Sequence, residues 1–343
     1  MRNFAQILIV ATVLSGTPAM FAQQPTILHG QVTTEAAERG LNAALDRLKQ
    51  QKEPAWIGYT VPVISKFSSG FNSNRIDYLE GKNDSVVNDS EGTNQIFDHA
   101  VILMRVAEGA VMKLQVESPD RELDAGGLRF VWLNGVNPDD SIRVLTDIAK
   151  QGDAHHLRES AVFAISIHQT GSATTALVGL AGAGNELGLR EKAAFWLANR
   201  RGHDGFTAIQ RLAREDNDPK FREKLTFDLT LSKEPEALNE LIRMAHDDTS
   251  PEVRKQAQFW MATKGGKKVS EDLKTLATND PNEQIRKSAV FALSRLRGEE
   301  AATQLIAVAD SSKDPSVRKQ AIFWLGQSSD PRALEYLTKI LKQ

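Results

Sequence analysis

The sequence predicts a right-handed α-solenoid of six helix pairs plus one terminal helix, preceded by a small α+β N-terminal domain. Three observations carry this. An arginine recurs every 32 residues, at Arg158, Arg190, Arg222, Arg254, Arg286 and Arg318. An apolar register with the same period runs ahead of it, at Leu145, Leu177, Ile209, Leu241, Leu273, Leu305 and Leu337. Between Gln23 and about Asn137 that period has no echo. Self-similarity at a fixed period of this length marks stacked supersecondary units.

The first 22 residues read as a signal peptide. Arg2 gives a positive start, and "FAQILIVATVL" is an apolar run too short to span a bilayer. Small residues follow in "SGTPAMFAQ", with cleavage expected after Ala19 or Ala22. The expected destination is the periplasm or the medium, with no membrane span after cleavage. The 343-residue chain has no cysteine, so an exported form must be stabilised by its core alone. Apolar residues make up 41% and charged residues 25%, the balance of a soluble globular protein. A formal net charge of −2 argues against a dedicated nucleic-acid binder, which needs a basic stripe.

Residues 23–138 form the expected α+β domain. "TTEAAERGLNAALDRLKQQ" places Leu41, Ala44, Leu45 and Leu48 on one helical face. "AWIGYTVPV" reads as a strand with Pro62 near its end. The polar, Gly- and Ser-rich stretch 65–96 reads as a mobile loop. "HAVILMRVAEGAVMKLQVES" is a hairpin turning at Glu108-Gly109, and "LRFVWLNGV" is a further strand. "NPDDSIRVLTDIA" is expected to dock this domain on the first repeat.

Residues 139–343 form the solenoid. Each register places apolar or small residues at i and i+4, one face of a helix. The first helix carries Ala149, Ala181, Ala213, Ala245, Ala277, Ala309 and Leu341; the second carries Ala161, Ala193, Leu225, Ala257, Ala289 and Ala321. Turns such as "DNDPKF" and "DTSPEV" place a capping residue before a proline, so second helices are expected to start at Pro219, Pro251, Pro281 and Pro315. A single pair cannot bury its apolar faces, whereas stacked pairs share a continuous core. First helices are expected outside, and second helices lining the concave wall. The seventh unit stops after one helix, which is expected to close the end.

One column departs from this logic. Counting the residue before each arginine as zero on a wheel of about 100° per residue, the sixth residue on falls near 240°, inside the polar arc. It is Phe163, Phe195, Phe227, Phe259, Phe291 and Phe323. These rings either pack on the next unit or form an aromatic track for a partner. Trp196, Trp260 and Trp324 follow the Phe in even units and read as core; Ala164, Asp228 and Ala292 stand there in odd units. Beside the track, Glu159, Glu191 and Glu223 give way to Lys255, Lys287 and Lys319, a polarity that would fix a partner's register.

The repeat resembles the short bacterial HEAT repeats of the phycobilisome-lyase type, whose second helix opens with an apolar residue, an Arg and then small residues. That resemblance implies that the Arg pairs with an Asp in the preceding turn; Asp216, Asp248 and Asp280 stand six before Arg222, Arg254 and Arg286. Gly152, Gly184 and Ser312 occupy that place in the other units. "WIGYTVPV" with "ELDAGG" resembles the N-terminal region of secreted HEAT-repeat proteins of unknown function, often Cys-bearing in relatives and Cys-free here.

No motif nominates a reaction. "DRELDAGG" has Ala125 where a calcium loop of the EF-hand type needs glycine. No two histidines stand at i and i+4, and the His-Glu pairs used by HEAT-type iron hydroxylases do not occur. "GLAGAGNELG" follows an amphipathic helix, not a strand, so it is a turn between helices. No metal and no cofactor are expected. The expected function is an exported, non-enzymatic scaffold holding a protein or peptide on the concave face. The alternative is a HEAT-type enzyme or lyase-like small-molecule binder, sited where the N-terminal domain meets the first repeat, near Trp132 and His155.

Overall fold

The computed structural model describes residues 24–68, 76–81, 96–152 and 154–342. The expected signal peptide lies outside these, as does most of the expected loop 65–96.

The N-terminal region is built on a five-stranded sheet. In chain order its elements are β1 (Thr26–Leu28), β2 (Gln31–Ala36), helix α1 (Gly40–Lys49), β3 (Ala55–Phe67), β4 (Ile76–Tyr78), β5 (Phe97–Ala107), β6 (Ala110–Glu117), β7 (Glu122–Asp124) and β8 (Arg129–Asn134). The strand order is β2-β8-β3-β5-β6. The last strand inserts parallel to both β2 and β3, while β3, β5 and β6 run antiparallel. A second sheet, β1-β7-β4, accompanies it. Alternation along the strands separates two cores. Ile57, Ile102, Met104, Val131 and Leu133 join α1 and the helical repeats, whereas Trp56, Val101, Leu103, Phe130 and Trp132 face Leu79 and Leu123 beside the small sheet. Both faces are therefore covered, which explains the nearly unbroken apolar run in β5.

Several expectations shift here. The helix begins at Gly40, with φ of +79°, and Thr33–Ala36 belong to β2, paired with β8. Pairing of backbone groups with the inserted β8 outweighs the helical pattern of those four residues. The strand carrying Pro62 continues to Phe67 through an irregularity after Pro62. The expected loop thus contains strand residues at both 65–67 and 76–78. The hairpin turn lies at Glu108 and Gly109, whose φ values of +54° and +78° give the two left-handed residues of a tight hairpin.

Thirteen helices follow among the described residues: α2 (Pro138–Gln151), α3 (His155–Ile167), α4 (Gly171–Ala181), α5 (Leu187–Arg200), α6 (Gly202–Glu215), α7 (Pro219–Leu231), α8 (Glu236–Asp247), α9 (Pro251–Gly265), α10 (Ser270–Asn279), α11 (Glu283–Ser294), α12 (Glu300–Ser311), α13 (Pro315–Gly326) and α14 (Pro331–Leu341). They stack as a helical-repeat solenoid. None is long and apolar enough to cross a membrane. Capping sets the starts: Asp218, Ser250 and Asp314 accept backbone N–H bonds ahead of Pro219, Pro251 and Pro315. The start expected at Pro281 moves to Glu283, because Asn282 provides the cap.

Both apolar registers supply the core. Leu145, Leu177, Ile209, Leu241, Leu273 and Leu305 are sealed, as are Ala161, Ala193, Leu225, Ala257, Ala289 and Ala321. The last helix breaks the pattern: of its residues only Ala333 is buried, and Leu334 and Leu341 are 70% and 87% exposed. Its other face packs on α12 and α13, with Tyr336 and Leu337 against the core.

The recurrent arginine is tied differently from what the resemblance implied. Arg222 donates to Asp248 at 2.8 and 2.9 Å, and its other nitrogen to the carbonyl of Asp216 at 2.8 Å. Arg190 pairs with Asp216, Arg254 approaches Asp280 at 3.9 Å, and Arg286 pairs with Asp314. The carboxylate comes from the following turn, and the preceding turn supplies a backbone carbonyl. Each arginine thus bridges two units, an arrangement its long planar fork can span.

Candidate partner-binding face

The even helices α4 to α12 and α2 form one layer, and the odd helices α3 to α13 the other. Neighbouring odd helices pack together more closely than neighbouring even helices do, as is expected of the inner layer of a curved stack. All six column phenylalanines lie on this layer. None is fully buried: Phe163, Phe195, Phe259 and Phe291 are half-buried, and Phe227 and Phe323 are 37% and 56% exposed.

These rings join the tryptophans in a ribbon. Trp196 lies 5.0 Å from Phe163 and 4.9 Å from Phe195, centroid to centroid. Trp260 lies 5.0 Å from Phe227 and 4.8 Å from Phe259. Trp324 lies 5.3 Å from Phe291 and 5.1 Å from Phe323. Each tryptophan thus wedges between the Phe of its own helix and that of the preceding unit, with edge-on and tilted geometry suited to the aromatic quadrupole. The three pack against the core, as expected, and are half-buried, so part of each ring also reaches the surface. Their indole nitrogens are sealed and have no acceptor among the described residues.

Where the wedge is Ala292, Phe259 and Phe291 close up and stack at 6.2 Å with a 9° interplanar angle. Where it is Asp228 no such contact joins Phe195 and Phe227 among the described residues, and the ribbon is interrupted. Asp228 is 4% exposed and no described residue hydrogen-bonds its carboxyl, whose oxygens still reach solvent. Burial pushes it up to about 8, the charge of Glu191 acts in the same direction, and Lys224 opposes them. One guanidinium already sits on the ribbon: Arg200 lies 5.5 Å from the Phe163 centroid and 5.3 Å from that of Trp196.

The flanking charges are unequally engaged. Glu159 pairs with Lys192 at 2.6 Å. Lys287 pairs with Glu283 at 2.6 Å and Lys255 approaches Glu252 at 3.7 Å, each along its own helix. Glu191, Glu223 and Lys319 have no ion pair among the described residues. In the column after the flanking charge, Lys192 and Lys224 give way to Gln256, Ser288 and Gln320. The N-terminal half therefore mixes signs, and the C-terminal half is basic.

The junction holds the other polar cluster. Tyr59 Oη lies 2.8 Å from Ser141 Oγ, which lies 3.0 Å from His168 Nε2. His168 Nδ1 lies 2.7 Å from the carbonyl of Ala164. A carbonyl only accepts, so Nδ1 carries the proton, Nε2 accepts from Ser141, and Ser141 accepts from Tyr59. Burial lowers His168 to about 4, the Ala164 bond opposes this, and Arg201 adds to it. Arg201 donates to the carbonyls of His168 at 2.6 Å and Thr170 at 2.8 Å and to Thr174 Oγ1 at 2.9 Å. Tyr59, Ser141 and His168 are all sealed, so the Ser-His contact has no route to a substrate. Trp132 is buried in the second core, donating to Asn134 at 3.1 Å, whereas the His155 side chain is 72% exposed. Nothing in their environments draws the two into one site. Asp124, from the acidic turn, binds His29 at 2.9 Å and the backbone N–H of Gly126 at 2.9 Å.

Sequence reasoning singled out the phenylalanines but passed over Asp228 and the Tyr59–Ser141–His168 chain. A carboxylate in a Trp/Ala column was the available signal for the first. For the second there was none, since the three residues come from separate elements.

A family model described as HEAT repeats matches residues 267–343. Among solved structures, the chain is similar to human deoxyhypusine hydroxylase in complex with glycerol, at 17% identity over 60% of this chain and 80% of that one, with a TM-score of 0.32. It is similar to the CpcE–CpcF complex of phycocyanin lyase from a Nostoc species, at 22% identity over 46% and 99%, TM-score 0.34. It is also similar to YibA of E. coli, at 20% identity over 61% and 77%, TM-score 0.36. No curated protein matches it. The matched stretch runs from the turn before α10 to the end of the chain, so the last two wedges of the aromatic ribbon, Ala292 and Trp324, stand on HEAT repeats.

Proposed function

We propose that this chain is an exported, non-enzymatic scaffold that holds a protein or peptide along the inner face of a right-handed solenoid. The observation that carries the reading is the ribbon of six partly exposed phenylalanines braced by three tryptophans. An apolar strip of this kind is kept on a surface when something covers it. Aromatic anchors contribute most of the energy in such contacts, and Lys255, Lys287 and Lys319 beside them would steer an acidic segment. Export from the cell through the segment 1–22 is part of the same proposal.

The test compares affinity capture by the wild type and by a variant with Phe227, Phe259 and Phe291 changed to serine, both checked for equal helix content. Partners recovered by the wild type should be lost from the variant. Equal recovery by both would remove the inner face from the function. N-terminal sequencing of protein secreted by an expressing cell should begin after Ala19 or Ala22; an intact Met1 would remove the export proposal.

A further inference from the structure

Helix α14 has two apolar edges, and only one of them is covered. Ala333 is buried, and Tyr336 and Leu337 pack against the core. Polar bonds fix the helix in that place: Tyr336 Oη donates to Asp310 of α12 at 2.7 Å, and Arg332 donates to the carbonyl of Glu299, the residue before α12, at 2.9 Å. The other edge is free. Leu334 and Leu341, at 70% and 87%, are the most exposed large apolar side chains among the described residues. They stand seven positions apart, two turns of one helix, with Thr338 between them on the same stripe. Pro331, Leu334, Glu335, Thr338 and Lys342 line one open depression. Single apolar residues scattered on a surface are ordinary, whereas two on one stripe of one helix form a patch.

The charges beside this stripe are unused. Glu335, Lys339 and Lys342 are exposed and have no ion pair among the described residues, although Glu335 and Lys339 are spaced for one along the helix. Glu335 and Lys342 are again seven apart, each one position on from a leucine. The stripe is therefore symmetric about Thr338 in shape and complementary in charge. A second α14 laid antiparallel, turned about a two-fold axis at Thr338, sets each Leu334 against the other Leu341. The same rotation keeps equivalent flanks together, so each Glu335 comes beside the other Lys342.

We propose that the free edge of α14 pairs with the same edge of a second copy of this chain, in a closed two-fold dimer. Such an interface is isologous and self-complementary. A head-to-tail array of copies would need a matching free face at the other end of the stack, and there α2 and α3 are covered by α1, β3 and β6. None of these residues belongs to the inner face, so the pairing stands or falls apart from that reading.

The experiment measures the mass of the full chain by sedimentation equilibrium from about 5 to about 500 μM. One helix stripe is smaller than a standard interface, so the expected dissociation constant is about 10–100 μM. Glu335→Lys and Lys342→Glu each place like charges at both contacts, and each variant alone should associate about tenfold more weakly. An equimolar mixture of the two has opposite charges at both contacts again and should return to the wild-type constant within about threefold. Leu334→Ser should stay a monomer throughout. Circular dichroism should show unchanged helix content in all three variants, since the substituted positions are exposed. A wild type that stays monomeric at about 500 μM would overturn the pairing and leave the stripe to a partner of another kind. Assemblies that grow beyond two copies, or charge variants that associate as tightly alone as when mixed, would overturn it as well.

Discussion

Two buried polar sites in this molecule have opposite fates. At the junction, Tyr59, Ser141, His168 and Arg201 are sealed and every side-chain N and O has a hydrogen-bond partner. On the inner face, Asp228 is equally buried and has no partner among the described residues. A satisfied buried network fixes one arrangement of the elements that contribute to it. A carboxyl that water reaches, with no protein partner, ties no elements together. The junction is therefore read as structure, although it is the place where a Ser-His contact would first suggest chemistry.

The largest expected effect falls on the satisfied side. Arg201 is 5% exposed and ties together the end of α3 and the start of α4, where the strand β3 also attaches through the bond from Gln169 N to the Pro62 carbonyl. Changing Arg201 to alanine strands several carbonyls at once, each worth about 1–3 kcal/mol when left unpaired, for a total near 3–5 kcal/mol. Urea unfolding should show this as a lower midpoint. A loss below about 1 kcal/mol would mean that water replaces the guanidinium freely and that the junction is not sealed.

The two sites also titrate in opposite senses. The folded-state value of His168, about 4, lies below its ordinary 6.5, so stability present above that ordinary value is lost as pH falls from about 6.5 to 4. Protonation also reverses the relay: Nε2 would donate to Ser141, Ser141 to Tyr59, and the phenol proton would have no acceptor. The folded-state value of Asp228, about 8, lies above its ordinary 3.8, so stability present at low pH is lost as pH rises from about 4 to 8. Between about pH 4 and 6.5 the two slopes offset each other. Asp228→Asn should then unmask the histidine, with stability falling by about 2–3 kcal/mol over that window, and should raise stability at pH 8 by about 2–4 kcal/mol. His168→Gln should unmask the aspartate, giving a steady decline towards pH 8. Denaturant melts of the three proteins at pH 4, 6.5 and 8 decide it; parallel profiles would remove both assignments.

The solenoid was legible because its signal is written many times. A 32-residue period leaves little freedom, and the buried Leu and Ala columns follow from it. In the N-terminal sheet β3, β5, β6 and β8 were legible, but β2 was read in part as helix and the strand order was not visible. Nothing local in "LRFVWLNGV" says that β8 inserts between β2 and β3, since strand pairing is a contact between distant parts of the chain. The arginine ladder that the resemblance implied differs for a related reason: it named a carboxylate six residues back, whereas Arg222 reaches one 26 positions on, in the next unit. The phenylalanine column was visible as an anomaly, because a ring in a polar arc conflicts with its neighbours. The tryptophans were placed by the same wheel near the core direction. Their partial exposure was not visible there, because the Phe that meets each indole comes from the preceding unit.

The smallest expected effect sharpens the contrast from inside the ribbon. Trp260 Nε1 is sealed without an acceptor, so the indole contributes through its ring and not through its N–H. Phenylalanine at that position removes an unsatisfied donor and retains part of the contact with Phe227 and Phe259. The loss of buried area and the relief of the stranded N–H are each about 1–2 kcal/mol and opposite in sign, so Trp260→Phe should shift stability by less than about 1 kcal/mol. At the junction the same kind of small change behaves differently. Ser141→Ala strands both the Tyr59 hydroxyl and His168 Nε2 in a sealed space, and should cost about 2–4 kcal/mol. Unfolding curves for these two variants place the polar sites on one scale. If Trp260→Phe proves the more damaging, the indole N–H has a partner on the inner face, and the ribbon is held by hydrogen bonding as well as by its rings.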